Sequence, residues 1–257
     1  MSKLTALFQK LALIFAAFIP VYFAGAALGT RFGLWDWKMG FGKLTMDYGP
    51  KLLILTTIIA MIALILSLIS KPRKGVGVAL LCLLIPLIGL GYGKKIRAKA
   101  RSLPFIHDIT TDTENPPTFS NIIVKRRAHC ANGLDYIGTT AGKGKKLVSE
   151  LQQEGYPDIK PLHFSQSPEV VFEKTKQVLR QTGLVLMNAD RDKGILEATD
   201  TSFWFGFSDD VVVRIQAMAD GSRVDIRSVS CVGRSDIGVN AARIRKIRDK
   251  LTALLKA

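Results

Sequence analysis

The sequence is poor in the residues from which most enzyme sites are built. It has three histidines and three cysteines in 257 residues. No C-x-x-C, H-E-x-x-H or H-x-E spacing occurs, so neither a metal centre nor a cofactor is expected. No G-x-S-x-G turn presents a serine nucleophile. The stretch GTTAGKGKKL (138–147) invites a phosphate-loop reading. It lacks the second glycine and the Lys-Ser/Thr pair of G-x-x-x-x-G-K-[ST], so a mobile basic loop is expected. Three cysteines give no disulfide framework. Cys231, at a strand end, reads as a small buried hydrophobe, and neither Cys130 nor Cys231 has neighbours that would activate a thiol.

Acidic residues are scarce at one end. Residues 1–101 hold 14 Lys+Arg and only 2 Asp+Glu, whereas residues 102–257 hold 22 and 19. The basic excess therefore flanks apolar segments and is not spread over a folded surface, which argues against a nucleic-acid partner.

Three uncharged runs are present: Leu11–Gly29, Leu52–Ile69 and Gly75–Gly93. Each is close to the roughly 20 residues a helix needs to cross the hydrocarbon core. Pro20 and Pro86 are tolerated in membrane helices. A cleaved signal peptide is the competing reading of the first run, but its length and the two later runs favour three retained helices. The small-residue stretches AGAALG (24–29) and GLGYG (89–93) permit close helix packing or face lipid. The loop TRFGLWDWKMGFGKLTMDYGPK, with Trp35, Trp37 and Phe41 among lysines, is expected to lie on the membrane surface.

Orientation is contested by the charges. One side carries Lys3, Lys10, Lys71, Arg73 and Lys74; the other carries Arg31, Lys38, Lys43, Lys51, Lys94, Lys95, Arg97, Lys99 and Arg101. Counting alone places the second side, and the C-terminal domain, in the cytoplasm.

Residues 102–161 read as a largely irregular linker, punctuated by proline. From Leu162 the pattern sharpens. LHF is a short strand, and SPEVVFEKTKQVLRQTG is a helix capped by Ser167, with Pro168 at its first position and Gly183 beyond its end. Val171, Phe172, Thr175, Val178 and Leu179 form its buried face. Strand signals follow in LVLMNAD, ILEATDT, FWFGF, VVVRIQAM and RVDIRSVSC, with a hairpin at Asp220-Gly221. A final helix repeats Ile237, Ala241, Ile244, Ile247, Leu251 and Leu254. The order β-α-β-β-β-β-α predicts an antiparallel sheet with two helices on one face, an α+β architecture.

In RSVSCVGRSDIGVNAARIRK (227–246), Ser235 or Asp236 can cap the last helix, and Gly233 and Gly238 permit a tight turn. Arg227, Arg234 and Asp236 are expected to cluster at this strand-to-helix joint, mainly as structure. A sharper reading gathers Trp204, Asp209, Asp210, Arg214, Arg227, Arg234 and Asp236 into a binding site. The sheet face without helices would then carry an Arg/Asp patch for an anionic group or a partner, rimmed by FWFGF.

The stretches IHDITTDTENPP (106–117), YPDIKPL (156–162), ILEATDTSFWFGFSDDVVVRI (195–215) and GSRVDIRSVSCVGRSDIGVNAARIRK (221–246) resemble the bacterial family called domain of unknown function 1499. The FGLWDWKMGF loop and the three spans resemble its membrane-anchored branch. The family has no established activity, so the resemblance implies no reaction. Secreted and lipid-anchored branches imply a domain outside the cytoplasm, against the charge count. Many members carry a PNCVSS-like stretch where this chain has NPPTFSN, so no role for that cysteine carries over.

The resulting expectation is a multi-pass protein of the bacterial inner membrane. Residues 1–101 form the transmembrane region, 102–161 the linker and 162–257 a soluble domain facing the periplasm. Its role would be that of a non-enzymatic module contacting the lipid bilayer and an envelope protein or anionic headgroup, with no nucleic acid. The alternative is a hydrolase or transferase using the Asp/Arg cluster, which requires acidic groups converging in a pocket.

Overall fold

The computed structural model describes residues 2–142 and 145–256. They fall into two compact units. The first runs to Ala98 and also takes in Phe203–Gly206; the second begins at Lys99 and resumes at Phe207.

Three helices, Lys3–Arg31, Lys38–Ile69 and Val76–Ser102, are long and apolar enough to cross a membrane; they lie in the first unit apart from the last residues of the third. They comprise α1 (Lys3–Arg31), α2 (Gly49–Ile69) and α3 (Val76–Ser102), with a π-helical segment, Lys38–Tyr48, running directly into α2. Small side chains meet where they pack: Ala12, Ala16, Ala60, Ala63, Ala79 and Cys82 form one buried cluster. Such residues let helix backbones approach closely where water supplies no driving force.

Most of the first loop, expected at the membrane surface, is helical. Trp35 explains the turn that precedes it. Its indole packs on Gly29 and donates from Nε1 to the Ala26 carbonyl at 3.1 Å. Thr45 donates to the Gly40 carbonyl five residues back, and the Gly49 amide to that of Leu44. This wider turn leaves room for Pro50, whose ring would meet a carbonyl four residues back in an α-helix.

In the second unit the antiparallel sheet runs β1-β8-β7-β6-β5, with β4 also pairing β8. Its strands are β1 (Asp108–Thr110), β4 (Leu162–Phe164), β5 (Val185–Asp190), β6 (Ile195–Thr201), β7 (Ser208–Met218) and β8 (Gly221–Ser230). A separate two-stranded piece pairs β2 (Thr140–Ala141) with β3 (Lys146–Leu147). The segment expected as a mobile basic loop carries this pairing where it is described; Lys143 and Gly144 lie outside the described residues. The helices are α4 (Asn121–Arg126), α5 (Val148–Gly155), α6 (Pro168–Gln181) and α7 (Val239–Lys256).

Helices α6 and α7 touch each other and the sheet. Their apolar stripes meet Leu196, Ala198, Val211, Val213, Ile215, Val224 and Ile226 in one core. The predicted face of α6 (Val171, Phe172, Thr175, Val178 and Leu179) is buried throughout. In α7, Ala241, Ile244, Ile247 and Leu251 are buried, as spaced. Ser167 stands at the head of α6 but makes no side-chain bond to its amides. At the Asp220-Gly221 hairpin, Gly221 has φ +140°. An added Cβ there would lie 2.0 Å from the Phe164 carbonyl oxygen, so glycine lets β4 close onto β8.

The expected linker, 102–161, is part of this fold. β1 pairs β8, and Ile106, Ile109, Tyr136, Val148, Tyr156 and Ile159 enter the same core. No local pattern marks it, because its apolar residues are spaced neither as a strand nor as a helix. They are single anchors from a chain draped over the sheet.

Cys130 and Cys231, 101 residues apart, form a disulfide. This corrects the expectation of an unstapled fold and of Cys231 as an inert hydrophobe. The Asn132 amide donates to the Cys231 carbonyl at 3.1 Å, which brings the draped segment to the end of β8. Cys82 is free and buried.

Candidate functional site

Strand alternation sends every second residue of the sheet away from the helices. Glu197, Thr199, Asp210, Arg214, Arg223, Asp225 and Arg227 share that second face, as their cross-strand pairings require. The face was expected to be open. The draped segment lies over it instead, and its charges are used internally.

Arg227 takes both oxygens of Asp108, Nε at 3.0 Å and Nη2 at 2.7 Å. It also donates to the Pro117 and Leu134 carbonyls at 3.2 and 2.6 Å. Its guanidinium lies 5.4 Å from the Phe119 ring centroid and 5.7 Å from that of Tyr136. Asp210 is bonded by Arg127 at 2.8 Å and by the Thr199 hydroxyl at 2.6 Å. Arg214 binds Asp225 at 2.8 Å and Asp112 at 3.3 Å. Arg223 reaches the same two carboxylates at 3.0 and 2.6 Å. Glu197, fully buried, accepts from the Ser120 amide and hydroxyl at 2.6 and 2.5 Å and from Asn188 at 2.9 Å. Burial of this quality requires such pairing, since an isolated charge away from water is very costly. Burial, and then the nearby Asp108 carboxylate, push the Tyr136 hydroxyl pKa well above its ordinary value.

A second network lies on the helix side. Asp200 and Asp209 face each other across β6 and β7. Arg243 of α7 bridges them, at 2.8 Å from each. It also donates to the Ser228 hydroxyl and the Asn240 side-chain carbonyl at 2.9 and 2.5 Å. Burial alone would lower the Arg243 pKa, but the two carboxylates hold it above its ordinary value.

Asp200 and Asp209 stand just outside the β6–β7 hairpin loop, so Arg243 braces the base of that loop. The loop is closed by the Ser202 amide on the Phe207 carbonyl at 2.8 Å and the Phe207 amide on the Ser202 hydroxyl at 2.9 Å. Gly206, at φ +68°, turns the chain. FWFGF is therefore a loop and not the strand its composition suggested. Phe203 and Trp204 remain 69% and 54% exposed, edge to face at 5.3 Å. Within the first unit, the Arg31 guanidinium lies 5.4 Å from the Phe203 ring and donates to the Phe203 carbonyl. Phe205 meets Phe41 of the π-helical segment edge to face at 5.3 Å.

The seven expected site residues therefore divide. Asp209 belongs to the Arg243 clamp, Asp210, Arg214 and Arg227 to the covered face, and Trp204 to the loop tip. The expected Arg227–Arg234–Asp236 cluster does not form. Arg227 pairs with Asp108, and Arg234 is exposed. Asp236 caps α7, accepting from the Gly238 and Asn240 amides at 2.9 and 2.7 Å. Burial raises its carboxyl pKa against those bonds. Ser235 accepts only the Ile237 amide, at 3.3 Å.

Sequence reasoning missed Asp108, Asp112, Arg127, Glu197, Arg223, Asp225 and Arg243. A signal existed in β8, where Arg223, Asp225 and Arg227 alternate with Val224 and Ile226. That pattern reads as a solvated face only while no cover is foreseen. The structure also gathers the ligand atoms of His129, Cys130 and Cys231 within 4.8 Å, although the two sulfurs are bonded to each other.

A search of the curated proteins returns no match. The family model described as "Protein of unknown function (DUF1499)" matches residues 108–251, which covers the sheet, the draped segment and most of α7. The chain belongs to this DUF1499 family.

Proposed function

We propose that the chain is a multi-pass, non-enzymatic module of the bacterial cell envelope. Its three helices anchor it in the inner membrane, and its sheet domain lies outside the cytoplasm. It acts by binding an envelope protein or a lipid headgroup at the membrane surface.

The observation that carries this reading is the braced aromatic loop. Phe203 and Trp204 are exposed on a hairpin whose base is fixed by Arg243. Large exposed aromatics on a rigid support suit binding, because little entropy is lost when they are covered. Amphipathic rings also favour the headgroup layer. The Cys130–Cys231 disulfide supports the orientation, since disulfides persist in oxidising compartments and are rare in the cytosol. The Asp/Arg set that a hydrolase or transferase would need is engaged in pairs that hold the draped segment to the sheet.

The test is a photo-crosslinking aromatic amino acid in place of Trp204, irradiated in growing cells. The reading expects adducts to phospholipid or to one defined envelope protein. Adducts confined to the chain itself would refute it.

A further inference from the structure

We infer that the membrane unit carries a collar of cations that binds anionic phospholipid headgroups in the leaflet on the side of the sheet domain. This deepens, and rests on, the envelope reading above.

Connectivity defines the collar. α1 crosses, α2 returns and α3 crosses again, so the end of α1, the start of α2 and the end of α3 share a side. Val76–Gly93 rises about 27 Å as a helix, close to the roughly 30 Å hydrocarbon core. Lys94, Lys95 and Arg97 then fall at the depth of the lipid phosphates. Arg31, Lys38, Lys43 and Lys51 lie at the same side, and all seven are exposed. The acidic residues there are Asp36 and Asp47. Among the described residues, Lys38, Lys43, Lys51, Lys94, Lys95 and Arg97 make no salt bridge. This contrasts with the second unit, where the buried arginines are matched to carboxylates.

Positive charge beside spanning helices is ordinarily a cytoplasmic feature. With the disulfide-bonded domain outside, that explanation does not apply, and cations outnumber the two carboxylates, Asp36 and Asp47, on the side that faces the other leaflet. Clustered Lys and Arg beside a spanning helix attract anionic headgroups. Tyr48 is positioned to frame such a site, its ring centroid 5.1 Å from the Lys51 ammonium.

The experiment is native mass spectrometry of the detergent-solubilised full chain, titrated with phosphatidylglycerol and with phosphatidylcholine. The expected result is preferential retention of phosphatidylglycerol. In K94Q/K95Q/R97Q that affinity should fall, by about fivefold per charge removed, the worth of one cation near an anionic surface. K71Q/K74Q, on the opposite side, should leave it unchanged. Equal binding of the two lipids overturns the proposal, as does an equal loss in both variants. Inorganic phosphate binding with the same variant dependence would reassign the collar to a soluble anion and also overturn it. A failed Trp204 cross-link would instead strike the envelope reading, because the lipid titration uses purified protein.

Discussion

Arg227 and Asp108 form a two-point ion pair at 3.0 and 2.7 Å, joining the middle of the sheet to the first strand of the domain. Both residues are buried. Asp108→Ala would leave a guanidinium away from water with only carbonyls and rings around it. The expected loss is about 3–5 kcal/mol, the usual result of breaking a buried pair from one side. Urea denaturation of the full chain in detergent measures it. A loss below about 1 kcal/mol would mean that the Pro117 and Leu134 carbonyls satisfy Arg227 on their own.

The disulfide closes a loop spanning 101 residues of sequence. Cys130→Ser combined with Cys231→Ser is expected to cost about 2–5 kcal/mol. Thermal melting with and without reductant checks this. The double variant should melt at the same temperature in both conditions, and the parent protein should not.

On the proposed orientation, a reporter that folds only in an oxidising compartment should be active when fused after residue 257. Activity of a cytoplasm-dependent reporter alone would reverse the topology and restore the simple charge count.

Asp236→Ala removes the α7 cap and should cost about 0.5–2 kcal/mol. The pH dependence runs the opposite way from most carboxylates. Burial raises the folded pKa of Asp236 above its ordinary 3.8. Its contribution is therefore fully present below the unfolded value and lost as pH rises through the folded one. Asp236→Asn keeps an acceptor and cannot ionise, so its stability relative to the parent should rise with pH across that window. A flat difference would show that the two amide bonds offset the burial.

Asp158 supplies the contrast. Arg245 holds it at 2.8 and 2.6 Å and Arg248 at 3.3 Å. Bonding to Arg245 keeps its carboxyl well below the ordinary range, against a smaller opposing effect of burial. The stability it supplies is present above the unfolded value and lost as pH falls through the folded one. Asp158→Asn should flatten the acid side of the stability profile. The effect should be small and salt-sensitive, because this pair is solvent-exposed.

What was legible in the sequence was whatever is periodic. The stripes of α6 and α7 and the alternation in β6, β7 and β8 announce themselves, because each element repeats one burial decision every two or every three to four residues. Residues 102–161 were not legible for the same reason inverted. Ile106, Ile109 and Tyr136 are buried in a core built from distant parts of the chain, and no local pattern records it. Asp108 meets Arg227, and Cys130 meets Cys231, only because β1 returns to lie beside β8. Without that pairing, the alternating charges of β8 could only be taken for a wet face, and the arginines for a ligand site.

The place of β8 has a consequence for how the chain is made. Among the described strands it follows all the others in sequence, and it sits between β7 on one side and β1 and β4 on the other. The earlier strands have no partner for β1 or β4 until Gly221–Ser230 arrives, and the draped segment has no floor to lie on. A chain interrupted before Gly221 would leave Asp108 without Arg227 and Cys130 without Cys231. Non-local pairing of this kind is slow, and here it must wait until β8 has been made. A copy that lacks β8 therefore keeps β1 and β4 unpaired and the draped segment without the surface it packs on.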